Sequence, residues 1–257
     1  MVELGVLAEQ SGWEAAFGWE AIYGLNPWVI LGGIAARTER IRLGTLLTPP
    51  STRRPWKLAS EVATLDRLSD GRAVLIAGLG ALEVGFTEVG EESDRKVRAE
   101  IMDESLELIE KFWTGDPFVH AGKYYNVDWS KPRIGVQPVQ QPRVPIWVVA
   151  KWPAPRSMRR SYRLDGVLPF KATESNPYAH LEPADVEQLL ADARANRDSD
   201  AFDIVIEGTT PLGDTSAMAR VSALSQAGAT WWVESMWEDP GGIEAVRRRI
   251  AAGPPTS

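Results

Sequence analysis

Few side chains in this 257-residue sequence are of the kinds that carry chemistry by themselves. There is no cysteine, and the only histidines are His120 and His180. Thiolate nucleophiles, disulfides and cysteine-ligated metals are therefore excluded, and a histidine-rich metal centre has too few ligands. No paired carboxylates and no metal-ligand cluster fall at the ends of the expected strands, so a hydrolase built on either finds no support. What remains is main chain and scattered charge. Gly78-Leu79-Gly80 ends an apolar run, and glycine lets a backbone approach a ligand closely; a lone Gly-x-Gly is equally an ordinary turn. Arg53-Arg54 read either as surface charges or, from where they stand, as residues that would meet a polar substrate or cofactor tail. Arg156, Arg159, Arg160 and Arg163 share one helical face, and only Arg156 lies near the start of that helix. Glu61 and Asp66 read as surface charges, and His120 as structural or exposed. The 11 tryptophans suit a core, a flat-ligand pocket or a subunit interface.

The elements that must position these residues are clearest from Ala36 to Gly80. Ile41 to Thr48 reads as a strand that is apolar or small on both faces towards its end, as in a parallel sheet covered by helices. Pro49-Pro50 ends it, since proline lacks the amide proton. Pro55 suits a first helical turn, and Trp56, Leu58, Ala59, Val62, Ala63, Leu65 and Leu68 recur at helical spacing. Asp70-Gly71 stops the helix in a left-handed turn. Ala73–Ala77 is the second strand, which completes a βαβ unit.

The same alternation runs along the chain. Helices are expected near 2–11, 28–38, 95–113, 156–164, 183–196, 215–227 and 243–252, and strands near 15, 41, 73, 146, 167, 202 and 230. Residues 114–145, with Pro117, Pro132, Pro138 and Pro142, form an irregular insertion with a hairpin around Tyr124–Val127. Seven βα units starting from a helix predict an α/β fold. Its type is a TIM (β/α)8 barrel lacking the first β-strand, as one domain over residues 1–257. A net charge of -7 gives no reason to expect nucleic acid. No apolar run is long enough for a bilayer and no signal peptide is seen, so no membrane partner and a cytoplasmic location are expected.

With these elements in place, the sequence resembles the bacterial luciferase-like flavin-dependent monooxygenases and oxidoreductases, a TIM-barrel family. ARTERIRLGTLLTP and RRPWKLASEVATLDRLSDGRAVLIAGLG carry most of the likeness. KFWTGDPFVHAGKYYNVD, PIWVVAKWPAPRSMRRSYRLDGVLPF and the closing VRRRIAAGPP follow in family order. The resemblance implies a flavin-dependent oxidoreductase, monooxygenase in type, acting on a small organic substrate. Its cofactor would be FMN or, alternatively, a deazaflavin (coenzyme F-420), and it would work as a homodimer through the helices at 28–38 and 55–68. The resemblance further implies that the flavin ring rests on Leu46, Leu47 and Thr48, with a cis peptide at Leu46-Leu47. Ala77, Gly78, Leu79 and Gly80 would pass beside the ring. Ala150, Lys151, Trp152, Arg156 and Ser157 would hold the tail phosphate, and Phe170 would line the same mouth; no metal is expected.

Two departures from the family stand out. The strand that normally precedes the first helix is lacking, through a shortened barrel or a misassigned start. Where many relatives have an Asp-His pair, this chain has Glu20-Ala21, and alanine cannot move a proton. Glu20 is the one candidate for a substitute acid, although neighbouring strand positions face opposite sides. The alternative reading is thus a flavin-binding or subunit-like barrel that has lost the catalytic histidine and first strand.

Overall fold

The computed structural model describes residues 1–131, 134–174, 176, 179–199, 201–237 and 239–255. Pro132, one of the prolines of the expected insertion, lies outside them. The chain gathers into two units: Met1–Val6 with Ala15–Pro145, and Leu7–Glu14 with the chain from Ile146 onward.

The chain opens with α1 (Val2–Gln10), of which the residues up to Val6 belong to the first unit; that unit continues through β1 (Ala15–Gly18), α2 (Pro27–Ala35), β2 (Arg42–Thr45), α3 (Pro55–Leu68), β3 (Ala73–Ala77) and α4 (Arg95–Thr114). A hairpin of β4 (Phe118–Ala121) and β5 (Asn126–Trp129) follows, at the place expected within the insertion. β1, β2 and β3 pair in parallel, with Ala16 opposite Leu43 and Leu43 opposite Ala73. Every residue of β3 is buried, as a strand covered on both faces must be. The apolar stripe of α3 (Leu58, Ala59, Val62, Ala63, Leu65) is buried too, and Pro55 takes its first turn. Asn26 caps α2 by accepting from the amides of Trp28 and Val29, and Asp94 caps α4 at the amide of Val97.

Three polar side chains hold this unit together. After α3 the chain turns through Asp70 (φ 54°) and Gly71 (φ 83°), and the turn delivers Arg72 beneath the C-terminus of α2. Its guanidinium donates to Ser69 O (2.6 Å), Ile41 O (2.8 Å), Thr38 O (2.8 Å), Thr38 Oγ1 (3.0 Å) and Ala35 O (3.1 Å). A cation at a helix C-terminus is favourable, and Arg72 serves the ends of α2 and α3 at once. Asp66 is not the expected surface charge: it is fully buried. It accepts from Val139 N (2.6 Å), Gln140 N (3.0 Å) and Gln140 Nε2 (2.6 Å), so the insertion is tied under α3. Its helical position on the Val62 stripe buries it, and donors far along the chain make that tolerable.

Glu104, on α4, accepts from the amides of Lys123, Tyr124 and Tyr125 and meets His120 Nε2 at 3.1 Å. His120 is thus structural. Burial pushes the Glu104 carboxyl up, but the Tyr124 amide, His120 and the Tyr125 amide outweigh it and hold the group below its ordinary value. A carboxyl depressed in the folded state stabilises fully above the unfolded value of about 4.3. That stability is lost as pH falls through the lower folded value. A Glu104→Gln variant is expected to melt below wild type at neutral pH, with the gap closing in acid; thermal scans across pH check this.

The second unit contains β6 (Ile146–Trp152), α5 (Pro155–Ser161), β7 (Gly166–Lys171), α6 (Pro183–Asn196), β8 (Asp203–Gly208), α7 (Thr215–Gln226), β9 (Trp231–Glu234) and α8 (Gly242–Ala251). Its strands are parallel in the order β6-β7-β8-β9. Val167, Val186, Leu189, Ile204, Ile206 and Leu224 pack into its core. Asp203 accepts from the indoles of Trp147 and Trp231, both at 3.1 Å, which satisfies the polar end of two large apolar side chains. Arg249 on α8 donates to Thr210 Oγ1 (2.7 Å) and Gly253 O (2.6 Å) and lies 5.0 Å from the Trp13 ring. The fold is α/β with seven parallel strands among the described residues, and a helix comes ahead of the first of them. No helix among the described residues is long and apolar enough to cross a membrane.

Candidate functional site

In the first unit the residues expected to seat a cofactor ring come together where β2 and β3 end. The peptide between Leu46 and Leu47 is cis, the geometry the resemblance implies. Leu46 N donates to Gly18 O (2.9 Å) before this bond. After it the chain rejoins β3: Thr48 N donates to Ile76 O (2.8 Å), and Gly78 N to Thr48 O (3.1 Å). Leu46, Thr48, Ala77 and Gly78 are buried, whereas Leu47, Leu79 and Gly80 are half-buried.

The two glycines have neighbours of their own within the protein. A Cβ on Gly78 would lie 2.5 Å from Leu47 Cδ2, so the missing side chain is the space Leu47 occupies. Gly80 has φ 75°, and a Cβ there would lie 2.6 Å from the Phe86 ring. The Leu79-Gly80 carbonyls are held by a residue that sequence reasoning missed. Arg98 of α4 is only 4% exposed. Its Nη1 donates to Leu79 O (2.7 Å) and Gly80 O (3.1 Å), and its guanidinium lies 5.4 Å from the Phe86 ring. Burial, aided by neighbouring Arg95, moves this group below the usual arginine value. The available signal was a charge on the same helical stripe as Met102 and Ser105, which are also buried.

Glu20, just beyond β1, is the centre of a polar hub. Its Oε2 accepts from Thr48 Oγ1 (2.6 Å) and Trp28 Nε1 (3.2 Å), and its Oε1 from Arg53 Nε (2.5 Å), with Arg53 Nη2 also in contact. Thr48 Oγ1 in turn meets Thr45 Oγ1 at 2.6 Å. Arg53 reaches Glu61 on its other side at 2.5 Å. Arg53 is therefore engaged by two carboxylates and does not wait for a polar substrate. Glu61 is not a simple surface charge: burial raises its carboxyl above the ordinary value, Arg53 opposes that and Glu20 adds to it.

In the second unit, Ala150 and Trp152 are buried, Lys151, Ser157 and Phe170 are half-buried, and Arg156 is exposed. β6 and β7 run in register with Lys151 beside Phe170 and Trp152 beside Lys171. Ser157 Oγ accepts from Lys151 N (2.9 Å), which folds the start of α5 back on the end of β6. Arg159 and Arg163 are exposed. Asp185 is a further anchor missed in the sequence: it binds Lys171 Nζ (2.7 and 2.9 Å) and accepts from Glu182 N (2.9 Å). Burial raises the Asp185 carboxyl, but the Glu182 amide, Lys171 and the Trp152 indole outweigh it and hold the group low. Among the described residues no three His, Asp or Glu are grouped so as to hold a metal ion.

The sequence pattern of the luciferase-like monooxygenase family matches residues 1–252. The chain belongs to this family. Among curated relatives, an F420-dependent glucose-6-phosphate dehydrogenase of Nocardia farcinica is 31% identical over 223 residues, covering 80% of this chain and 63% of that protein. The oxygenase component of a flavin-dependent trigonelline monooxygenase of Acinetobacter baylyi is 30% identical over 158 residues, covering 60% of this chain and 43% of that protein. The chain thus spans less than two thirds of the length of these relatives. Among solved structures, a coenzyme F420-dependent tetrahydromethanopterin reductase from Methanopyrus kandleri gives a TM-score of 0.75 at 18% identity, over 98% of this chain and 93% of that one. The oxygenating constituent of 3,6-diketocamphane monooxygenase from Pseudomonas putida, solved with FMN, gives 0.65 at 18% identity, over 87% and 65%. These likenesses place the chain in the TIM-barrel type of α/β fold shared by luciferase-like enzymes. The family's members are flavin- or F420-dependent oxidoreductases and monooxygenases.

Proposed function

We propose that this protein is a cytoplasmic oxidoreductase of the luciferase-like class that uses FMN or coenzyme F-420 to oxidise, reduce or oxygenate a small organic substrate. One observation carries the reading: the turn Leu46-Leu47-Thr48 presents a half-buried apolar side chain, Leu47, packed against Gly78 at the end of the neighbouring strand. The residues present fit a flat ring with a polar rim. Leu47 and Leu79 offer apolar contact, and the Oγ of Ser51, just beyond the turn, is buried without a protein partner. When bound, the cofactor supplies the hydride or dioxygen chemistry. Leu46, Leu47 and Thr48 would support it, Ala77 to Gly80 would border it, and the Arg98 clamp would keep that border in place. In the second unit, Ala150, Lys151, Trp152, Arg156 and Ser157 remain the proposed contacts of the cofactor's tail phosphate, with Phe170 beside them. Glu20 is enclosed by its own partners, which speaks against its serving as the substitute acid. The relatives' activities lend no support to a catalytically impaired barrel.

The test is direct titration of the purified protein with FMN and with coenzyme F-420, followed by fluorescence, then reoxidation of the reduced complex with and without candidate substrates. Failure to bind either cofactor sinks the proposal. Gly78→Ala gives a sharper outcome. The added methyl displaces Leu47, so affinity for the cofactor is expected to fall about tenfold, or about 1.4 kcal/mol. The melting temperature should barely change, since the obstacle is the free end of a flexible side chain. A homodimer is also proposed, with the exposed Val29 of α2 and Trp56 of α3 at its contact; light scattering of wild type and Val29→Glu checks it.

A further inference from the structure

We propose that Glu20 is a positioning residue, which fixes the Leu46–Thr48 turn by binding the Thr48 hydroxyl rather than exchanging a proton with substrate. This rests on the reading that the turn seats a cofactor.

A carboxylate has about four lone-pair sites. All of the Glu20 capacity is used: Thr48 and Trp28 on Oε2, and Arg53, through two of its nitrogens, on Oε1. The side chain is 8% exposed, so water does not complete the shell from outside. Thr48 is held equally firmly. Its amide and carbonyl belong to the β3 pairing, through Ile76 O and Gly78 N. Its hydroxyl is the one group left to set the orientation of the turn. Because that hydroxyl gives its proton to Glu20, its contact with Thr45 runs the other way, and Thr45 Oγ1 is the donor. The result is a continuous chain from Thr45 through Thr48 and Glu20 to Arg53 and Glu61. It joins the ends of β1 and β2 to α3 beside Leu47. Charge-assisted bonds to a buried carboxylate are the strong kind, and their loss would leave Thr48 free to rotate and Arg53 with Glu61 alone.

The experiment compares wild type with Glu20→Ala, Thr48→Val, the double variant and Thr48→Ser. The first readout is hydrogen–deuterium exchange of the ligand-free protein in the peptide covering 43–50, with the α4 peptide covering 102–109 as control. The second is titration with FMN and with coenzyme F-420. In both single variants exchange at 43–50 is expected to rise about tenfold with the control unchanged, and cofactor affinity to fall about tenfold. Thr48→Ser, which keeps the hydroxyl, should behave as wild type, and the double variant should be no worse than Glu20→Ala alone, because one contact is lost only once. Unchanged exchange at 43–50, or single effects that simply add, would overturn the proposal. So would a loss of turnover with exchange and affinity intact, which would make Glu20 a proton-transfer group. If wild type binds neither cofactor, the functional reading fails while the exchange comparison still decides the role of Glu20. If Glu20→Ala does not fold, the Thr48→Val and Thr48→Ser pair decides it.

Discussion

Arg72→Ala is expected to destabilise the protein by about 3 kcal/mol, with the urea midpoint falling and the slope unchanged. One guanidinium serves five acceptors drawn from the ends of α2 and α3 and the start of β2. Its removal strands carbonyls that the fold has already taken from water, and each stranded group costs about 1–3 kcal/mol. The residues carrying these acceptors are themselves buried, and water entering the space the guanidinium leaves would serve some of them, which keeps the expectation towards the lower end of the sum. Arg72→Lys is expected to recover less than half of the loss. An ammonium group has three donors on a flexible stem and cannot reproduce a planar fork spread over several carbonyls.

Gly44→Ala should be comparably damaging, for a steric reason. Gly44 lies in the middle strand of three, opposite Phe17 on one side and Val74 on the other. A Cβ there would stand 2.4 Å from the Val74 carbonyl oxygen and 3.3 Å from the Phe17 ring. A backbone oxygen in a paired strand cannot swing aside as the end of Leu47 can, so β2 and β3 must separate. The expected cost is about 3 kcal/mol. For a chain of this size that is a drop of roughly 6–12 °C in melting temperature. Calorimetry of Gly44→Ala beside Gly78→Ala separates the two cases: the first should lose stability and cofactor affinity together, the second mainly affinity.

The βαβ unit from Ile41 to Ala77 was legible because everything that defines it is local. The proline that opens α3, the stripe from Leu58 to Leu65, the left-handed Asp70-Gly71 and the wholly apolar β3 each follow from residues a few positions apart. The cis bond at Leu46-Leu47 was legible only through family likeness, since the two leucines alone suggest an ordinary strand end. The polar fastenings were not legible. Thr48 finds Glu20 across 28 positions, and Gln140 finds Asp66 across 74. Helical spacing placed Asp66 beside Val62 but offered no donor to satisfy it, so a surface reading was the natural one. Arg53 was expected to meet a polar substrate or cofactor tail because Glu20, 33 positions away, becomes its neighbour only when the chain is folded, although Glu61 lies only eight positions on. Arg98 and Asp185 look like ordinary helix charges until the carbonyls of Leu79 and Gly80, or the amine of Lys171, are set against them.

The buried Asp66 also says something about the order in which this protein can be made. Its donors at Val139 and Gln140 are synthesised 73 and 74 residues after it. A nascent chain that has passed β3 and α4 but not yet reached Gln140 holds a carboxylate under α3 with nothing to accept from. The helix cannot then seat its buried face on the strands without leaving that carboxylate unpartnered. Vectorial folding of the first unit therefore completes only as Gln140 clears the ribosome, just short of the unit's end at Pro145. A chain truncated just before Val139 contains every strand of the unit yet lacks these donors to Asp66.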